Sequence, residues 1–341
     1  MKNIFWQTVI IFIAFNLACL SASAQAPTET AFKLFVIGSG GGIDDGNLNC
    51  YLLAAKNSNE FISLDAGTLY SGIQKTVDAG KFYDVFIPSE TNLTKTGYIF
   101  TECIKGYLIS HPHLDHIAGL VIASPADQPK PVYGSETTIR LLTENIFNWK
   151  IWPNFTSGGE GLQLKKYTLQ TVKPGEEFRI GNTSFKTTPF VVSHQEPYAS
   201  TAYLLENYGE YLLYIGDTGS DELENTSNLQ IIWQSIAPII RQHRLHAIMM
   251  ECSYPNAQPD LQLYGHLNPK WMLKELENLA KEVNPDNPET ALTGLTVVVT
   301  GIKPMVFSDI DPAHQISMEL LQVNKPGVSF VFPVQGQRIE L

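Results

Sequence analysis

Cysteine is scarce in this chain of 341 residues, which contains four in all. Cys19 lies in the N-terminal apolar run, so Cys50, Cys103 and Cys252 are the ones expected in a folded domain. Three is an odd number and no C-x-x-C spacing is present, which argues against a disulfide framework and against a thiolate zinc knuckle. We therefore expect three buried cysteines in or beside strands, with a single disulfide among them left open.

Positive charge is also in short supply. The 23 lysines and arginines are outnumbered by 34 acidic residues, the net charge is −11, and no basic cluster is visible. A protein that grips a polyanion needs a basic face, because phosphate neutralisation dominates such binding. The composition therefore argues against a DNA or RNA polymer as partner. A small anion stays open as a substrate, since bound metal ions can supply positive charge locally.

Long apolar runs are absent beyond the N-terminus, where Lys2 precedes a mostly apolar stretch, Ile4–Leu20. Gln7 and Asn16 interrupt this stretch and leave it short of the roughly 20 apolar residues that a transmembrane helix needs. A basic start followed by a short apolar run is typical of a secretory signal peptide. We therefore favour a signal peptide over a membrane anchor.

The small residues Ala22-Ser23-Ala24 match the pattern read by signal peptidase, which predicts cleavage after Ala24. A lipoprotein modified at Cys19 is less well supported, because Asn16 stands where an apolar residue is expected. Residues 1–24 are thus predicted to be a signal peptide and residues 25–341 one mature domain. The predicted location is the periplasm or the exterior of the cell, with no membrane contact after cleavage.

What the mature chain does contain is an alternation of short β-rich runs with amphipathic stretches. We predict strands at 33–37, 51–54, 61–65, 107–109, 168–172, 184–192, 202–206, 211–215, 247–250, 295–299 and 328–332. We predict helices at 136–146, 229–242 and 269–281. Strands in groups with interspersed helices favour two sheets packed face to face under outer helices. The aromatic segment 147–155 fits no such element and is interpreted as an insertion.

The most informative run is Ser110-His111-Pro112-His113-Leu114-Asp115-His116, directly after a predicted strand. It places three histidines and an aspartate within six residues, in a chain that has 8 histidines altogether. Imidazole and carboxylate suit divalent zinc, manganese or iron. A tight loop would direct His111 and His113 to one metal and turn Asp115 and His116 toward a second.

This run resembles the H-x-H-x-D-H signature of the metallo-β-lactamase superfamily. Its extension through Gly119 to Ser124-Pro125 is similar to the signature of class II cyclic-nucleotide phosphodiesterases. The resemblance covers the chain from about Lys33 to the C-terminus. It implies an α/β (α+β) fold, a four-layer αββα sandwich of the metallo-β-lactamase type.

The resemblance also implies a site. Asp65, in Leu-Asp-Ala-Gly, matches the aspartate that orients the metal-binding loop, and His194 matches the third histidine of the first metal. Asp217, in Gly-Asp-Thr-Gly, matches the bridging carboxylate, and His266 matches the histidine of the second metal. The implied first site is His111, His113 and His194; the implied second site is Asp115, His116 and His266; Asp217 bridges them.

Two divalent ions are therefore the expected cofactors, zinc first, with manganese or iron as alternatives. Asp115, Asp217 and His266 are the residues expected to matter most for catalysis. Two adjacent cations activate water as a nucleophile and neutralise phosphate charge. The oligomeric state is left open, with a homodimer as one option.

The family implies a 3′,5′-cyclic nucleotide, cyclic AMP or also cyclic GMP, opened to the 5′-monophosphate. Lys303, in Ile-Lys-Pro, is a candidate phosphate contact, and relatives are expected to carry histidine where this chain has Gly301. From the residues themselves, Trp149, Trp152 or Phe155 could stack on the base, as aromatic faces do for nucleobases.

Two other classes of function remain at this stage. The first is another hydrolase on the same metals, such as a β-lactamase, a lactonase or thioesterase, or an RNA-processing nuclease, the last opposed by the acidic charge. The second is a periplasmic nucleotide-binding protein without catalysis. The presence of every expected ligand favours an enzyme.

Overall fold

The structure is a computed structural model that describes residues 29–195, 198–306 and 309–341. The predicted signal peptide, residues 1–24, lies outside the described residues. Among the described residues, no helix is long and apolar enough to cross a membrane.

The first of two sheets has seven strands in the order β14-β1-β2-β3-β4-β5-β6. Its strands are β1 Phe32–Gly38, β2 Cys50–Ala55, β3 Phe61–Leu64, β4 Ile104–Leu108, β5 Lys130–Gly134, β6 Tyr167–Thr171 and β14 Arg338–Glu340. The pairs β1–β14, β1–β2 and β2–β3 are antiparallel, and β3 through β6 are parallel. In the register of the β1–β2 pair, Leu34 lies opposite Leu53.

The second sheet also has seven strands, in the order β13-β12-β11-β10-β9-β8-β7. Its strands are β7 Phe178–Arg179, β8 Lys186–Ser193, β9 Ala199–Asn207, β10 Glu210–Ile215, β11 Leu245–Glu251, β12 Thr296–Thr300 and β13 Ser329–Val331. The strands β7 to β10 are antiparallel, and β10 to β13 are parallel. The β9–β10 hairpin turns at Tyr208-Gly209, where both φ angles are positive, as a two-residue primed turn requires.

Helices cover the outer faces. They are α1 Tyr70–Asp78, α2 Lys95–Tyr98, α3 Leu114–Ala123, α4 Glu136–Leu141, α5 Asp221–Glu224, α6 Asn228–Arg241, α7 Pro269–Val283 and α8 Pro312–Gln322. Short π-helical turns follow α2 and α4 at Ile99–Cys103 and Leu142–Ile146, and 3-10 turns lie at Asp260–Gln262 and Pro288–Thr290.

Three hydrophobic cores separate the layers. In β1, Leu34 and Val36 face the core between the sheets, whereas Phe35 and Ile37 face the core under the helices. The strand is buried on both faces, so its sequence is nearly continuously apolar rather than alternating. A third core packs α6, α7 and α8 on the second sheet. The predicted four-layer αββα sandwich is confirmed.

The topology directs several strand ends to one edge of the sandwich. In the first sheet β3 and β4 run parallel, and in the second β10, β11 and β12 run parallel. Strand β8 has the same direction as β10, because both are antiparallel to the strand β9 between them. Crevices outside the carboxyl ends of such strands are the usual places for ligands in α/β folds. The loops after these ends carry the side chains of the candidate site.

Two local predictions need correction. The helix predicted over 136–146 ends as an α-helix at Leu141 and continues as a π-helical turn. The predicted tight loop after β4 is short, because α3 already begins at Leu114. Asp115 and His116 therefore lie in the first turn of a helix, where the loop prediction did not place them.

The three cysteines within the described residues, Cys50, Cys103 and Cys252, are free and buried. Burial raises the pKa of the Cys103 thiol to about 11. The expectation of buried small residues is confirmed, and no disulfide links these three.

Candidate metal centre

Three imidazole nitrogens converge at the edge of the sandwich. His111 Nε2 lies 3.0 Å from His113 Nδ1, and His113 Nδ1 lies 3.2 Å from His194 Nε2. Nitrogens bound at about 2.0–2.1 Å to one tetrahedral ion are about 3.3 Å apart. The spacing therefore fits three ligands of a single cation, although the three residues come from loops after β4 and β8.

In two of these rings, a hydrogen bond from Nδ1 determines the tautomer and leaves Nε2 unprotonated. The Ser110 hydroxyl donates to Asp65 Oδ2 at 2.7 Å, so its oxygen is left to accept from His111 Nδ1 at 3.0 Å. His194 Nδ1 donates to the carbonyl oxygen of Gly265 at 2.9 Å. In both rings Nε2 thus carries a lone pair directed at His113. One proton on His113 Nδ1 cannot satisfy both lone pairs, whereas a cation can.

The pKa values of these three rings favour neutral imidazole, the form that binds metal. Burial, followed by the charge of His116, lowers the pKa of His111 well below its usual range. Burial and His194 lower the pKa of His113 to about 4. Burial lowers the pKa of His194 and outweighs the opposing charge of Asp217, and His266 lowers it by a smaller amount.

Asp217 lies at the centre of the remaining ligand candidates. Its Oδ1 is 3.3 Å from His116 Nε2, and its Oδ2 is 3.6 Å from His266 Nδ1 and 4.0 Å from His111 Nε2. Burial alone would raise the pKa of this carboxyl group, but the charge and hydrogen bond of His116 hold it well below the usual range. A carboxylate between two sets of histidines can bridge two cations.

His116 has the opposite electrostatic character from the other rings. Burial lowers its pKa, but the carboxylates of Asp217 and Asp65 outweigh burial and raise the pKa well above the usual value. Its Nδ1 is 2.6 Å from Asp65 Oδ2, so Nε2 faces Asp217. The two buried carboxylates therefore demand a positive charge at this point, which a divalent ion would supply more fully than a proton.

Asp115 borders the same region from the first turn of α3. Its Oδ2 accepts from the backbone N–H of Gly42 at 3.0 Å and lies 3.9 Å from His116 Nε2. Burial raises the pKa of Asp115, but His116, Lys303 and the Gly42 hydrogen bond lower it on balance. The carboxylate is therefore ionised and lies beside His116, with which it is predicted to bind the second metal.

Asp65 has the contacts of an orienting residue. It is fully buried just after β3, with a left-handed φ of 53°. Its carboxylate accepts from the backbone N–H and hydroxyl of Ser110, from His116 Nδ1 and from the Tyr214 hydroxyl. Carboxylates that hold the second nitrogen of a ligating histidine fix its tautomer and ring orientation.

The donor set fits a metal centre. Within the described residues, ligand atoms of three overlapping groups lie within 4.8 Å of one another: His111, His113 and His194; His111, His116 and Asp217; His194, Asp217 and His266. Nitrogen and carboxylate ligands in these numbers suit zinc, manganese or iron. The structure thus brings together the residues that the sequence assigned to two metals, with Asp115 beside them.

Lys303, the candidate phosphate contact, faces this cluster. Its Nζ is 3.6 Å from Asp115 Oδ2, and its side chain is only 16% exposed. Burial lowers its pKa, but Asp217 and Asp115 outweigh burial and raise it above the usual value. Gly41 leaves room for the Lys303 side chain, because a Cβ atom at position 41 would lie only 3.1 Å from Lys303 Nζ. A fixed positive charge therefore borders the centre.

The aromatic segment 147–155 does not border the centre. Phe155 is 9% exposed and belongs to the core of the first sheet, so the stacking prediction is wrong for it. Trp152 Nε1 donates to Ser124 Oγ at the C-terminal end of α3. That end is about 15 Å from His113 at the N-terminal end of the helix. Trp149 is tied to Trp152 by a backbone hydrogen bond of 2.9 Å, so it also lies at the far end.

Several residues beside the centre were missed by the sequence analysis. Tyr198 and Tyr254 place their rings 5.4 Å from His113 and 5.8 Å from His266, measured between centroids. The Asn49 amide nitrogen lies 3.3 Å from His116 Nε2. Glu251 contacts His266 Nδ1 at 2.8 Å. The only signal for Glu251 was its place in the run Glu-Cys-Ser-Tyr, which resembles the family without revealing a role.

Gly301 stands at the position where relatives were expected to carry histidine. Its φ is +67°, which favours glycine. A Cβ there would lie 3.3 Å from Glu251 Cβ and 3.8 Å from Asp217 Oδ1. The position faces the centre, and in this chain it contributes only backbone.

We predict that Trp152→Phe lowers stability without changing substrate binding. The loss of the indole hydrogen bond to Ser124 removes about 0.5–1.5 kcal/mol, while the distance from the centre leaves KM within about twofold of wild type. Urea unfolding and steady-state kinetics on cyclic AMP measure the two effects, with Trp149→Phe as a second variant. A KM raised tenfold in either variant would restore the stacking hypothesis.

Comparison with known proteins identifies the family and the fold. Residues 32–336 match the family model of the class II cAMP phosphodiesterases. A 3′,5′-cyclic-nucleotide phosphodiesterase of Aliivibrio fischeri is 38% identical over 328 residues, covering 96% of this chain and 98% of the relative. The crystal structure of unliganded yeast PDE1 aligns with a TM-score of 0.78 at 27% identity, covering 92% of this chain and 100% of that one.

A metallo-β-lactamase fold protein, YhfI of Bacillus subtilis, aligns with a TM-score of 0.57 at 18% identity and covers 92% of this chain and 100% of its own. At that identity the likeness shows the fold alone, which is the αββα sandwich described above. The match over residues 32–336 shows the family as well. The chain belongs to the class II cyclic-nucleotide phosphodiesterases and has the metallo-β-lactamase fold.

Proposed function

We propose that this phosphodiesterase hydrolyses 3′,5′-cyclic nucleotides, cyclic AMP and also cyclic GMP, to nucleoside 5′-monophosphates. The observation that carries the choice of substrate is the family match over residues 32–336. The centre alone would serve many hydrolases of this fold, so its geometry supports hydrolysis in general. The reaction adds one water: a P–O bond to water forms, the P–O3′ bond breaks, and one proton passes to O3′.

The residues that would hold two cations follow from the convergent atoms. His111, His113 and His194 would bind one, and Asp115, His116 and His266 the other, with Asp217 shared. When bound, two divalent ions supply an activated water and positive charge for the phosphate oxygens. We propose zinc as the native metal because histidine outnumbers carboxylate in the donor set, with manganese and iron as the alternatives.

The chain's own side chains prepare this centre. Asp65 fixes the ring of His116 and, through Ser110, that of His111. Asp217 is held ionised by the histidines around it. Lys303 presents a fixed ammonium group beside Asp115, where it would bind the substrate phosphate. These groups are in place before substrate arrives, which is the condition for electrostatic stabilisation of a transition state.

The negative net charge of the protein does not prevent it from binding an anionic substrate. The net charge of −11 repels anions at long range, whereas the cations and Lys303 attract phosphate within the centre. The same charge disfavours an RNA polymer, which needs an extended basic surface. We therefore favour hydrolysis of a cyclic nucleotide over RNA processing. Hydrolysis of a β-lactam or a lactone is likewise a less favoured alternative.

We predict that the zinc-loaded protein converts cyclic AMP to 5′-AMP and leaves a β-lactam, a lactone and a short RNA unhydrolysed. Asp115→Ala and Asp217→Asn should each lower kcat by at least about 100-fold, because loss even of a residue that only orients a ligand costs 10- to 100-fold. Chromatography of the products measures all four substrates. Hydrolysis of another substrate in preference to cyclic AMP would overturn the assignment, and binding of cyclic AMP without turnover would favour the nucleotide-binding alternative.

Lys303→Met should lower kcat/KM for cyclic AMP by about 10- to 100-fold, since a hydrogen bond to a charged group contributes about 1.5–3 kcal/mol. Methionine keeps most of the length and removes the charge. Lys173→Met, at a lysine whose side chain is 72% exposed, is the matched control and should have no effect. An unchanged kcat/KM in Lys303→Met would show that the ammonium group does not contact substrate.

We further propose that the mature protein begins after Ala24 and acts in the periplasm or outside the cell. The support is the basic, short apolar and small-residue pattern of residues 1–24. Mass spectrometry of the protein recovered from its host should give the mass of residues 25–341 from a fraction outside the cytoplasm. A full-length mass, or a lipid attached to Cys19, would contradict this prediction.

A further inference from the structure

Glu251 is a buried carboxylate that none of the assignments above uses. It is the last residue of β11 and is 1% exposed. It lies at the edge of the second sheet where the centre is formed. A carboxylate this deeply buried requires several hydrogen bonds, so its partners indicate what it does.

Its partners are one imidazole and three backbone amides. Oε1 accepts from His266 Nδ1 at 2.8 Å and from the backbone N–H of Thr218 at 3.1 Å. Oε2 accepts from the backbone N–H groups of Ser253 and Leu267 at 3.0 and 3.4 Å. Because the amides can only donate, the carboxylate acts as acceptor throughout.

The tautomer of His266 follows from this arrangement. Its Nδ1 must carry the proton that it donates to Glu251, and the nearby Ser253 hydroxyl already donates to the Gly301 carbonyl oxygen. The lone pair of His266 is therefore on Nε2. A ligand histidine held in this way by a carboxylate is more basic and fixed in orientation.

The same carboxylate also supports Asp217. Thr218 follows Asp217 directly, and its backbone N–H is bound by Oε1 of Glu251. One side chain thus fixes the ring of His266 and the turn that presents the shared carboxylate. Asp65 has corresponding contacts with His116, the other histidine assigned to the second cation, and with Ser110.

We infer that Glu251 is a positioning residue that sets the affinity of the second cation, through the tautomer of His266 and the turn after Asp217. This inference rests on the proposed metal centre. It gives the centre two buried positioning carboxylates: Asp65 for His111 and His116, and Glu251 for His266 and Asp217.

The chain offers a matched control for a test. Glu275 in α7 is 2% exposed, and it accepts from Trp233 Nε1 at 3.2 Å and from the backbone N–H of Asp221 at 3.1 Å. It is another buried glutamate with a ring N–H and a backbone N–H as partners, and none of these partners belongs to the centre. Glu275→Gln therefore reports the effect of the same chemical change away from the metals.

The experiment compares zinc binding by wild type, Glu251→Gln and Glu275→Gln in the full mature chain. Zinc alone is titrated against a competing chelator, and metal per chain is measured after desalting. We expect two tightly bound ions in wild type and in Glu275→Gln. Glu251→Gln should keep one and bind the other about 10- to 100-fold more weakly, because its amide presents a donor to groups that also donate. Glu251→Asp, which keeps the acceptor, should recover part of this affinity.

Wild-type protein that binds no zinc would overturn the metal centre and the inference together. Two tight ions in wild type and also in Glu251→Gln would overturn the inference alone. Should the Glu251 variants not fold, nitrogen-15 NMR of the histidines in metal-free wild type decides the matter. A protonated Nδ1 and a bare Nε2 on His266 are expected, and the opposite tautomer would contradict the role of Glu251.

Discussion

The site depends on the electrostatics of a buried cluster in which hydrogen-bond acceptors, the imidazole lone pairs and carboxylate oxygens, outnumber the available protons. His111 and His194 direct lone pairs at His113, while Asp217 and Asp65 concentrate negative charge around His116. Each of these groups would be costly to bury alone, because neither a lone pair nor a carboxylate is stable without a partner in a dry interior. Two divalent cations would satisfy all of them at once. The buried cluster therefore has an excess of negative charge and lone pairs, which is the property expected of a site that binds cations.

The sandwich makes this cluster possible by distributing its members over rigid elements. Ligand candidates follow β4, β8 and β10, and the carboxylates Asp65 and Glu251 stand at the ends of β3 and β11. The strands are fixed by cores on both faces, so the atoms at their ends have little freedom to separate. Sites supported in this way hold their geometry more closely than sites carried by loops alone.

The fold and most of the site could be predicted from the sequence, for identifiable reasons. The apolar runs were strong enough to give the strands, and His111 to His116 are dense enough to identify the centre. His194, Asp217 and His266 are individually unremarkable, and only their order along the chain, by resemblance to a family, drew attention to them. The structure brings them together, and their roles as ligands are still predictions.

What could not be predicted depends on the third dimension. Trp152 and Phe155 looked available for stacking because composition does not reveal which side of a sheet an insertion covers, and both pack away from the centre. The run that contains Glu251 gave no indication of its role, because the sequence alone does not reveal whether a glutamate is buried or which groups it contacts. The first turn of α3 was predicted as loop because the polar residues Asp115 and His116 conceal the start of an apolar helix.

Anomalous diffraction from crystals soaked in zinc would show whether the convergent nitrogens share a cation. We expect two peaks at the zinc edge, one enclosed by His111 Nε2, His113 Nδ1 and His194 Nε2, the other beside Asp217 and His116. A map without peaks at these positions, or with the three nitrogens unchanged and hydrogen-bonded only to one another, would contradict this expectation.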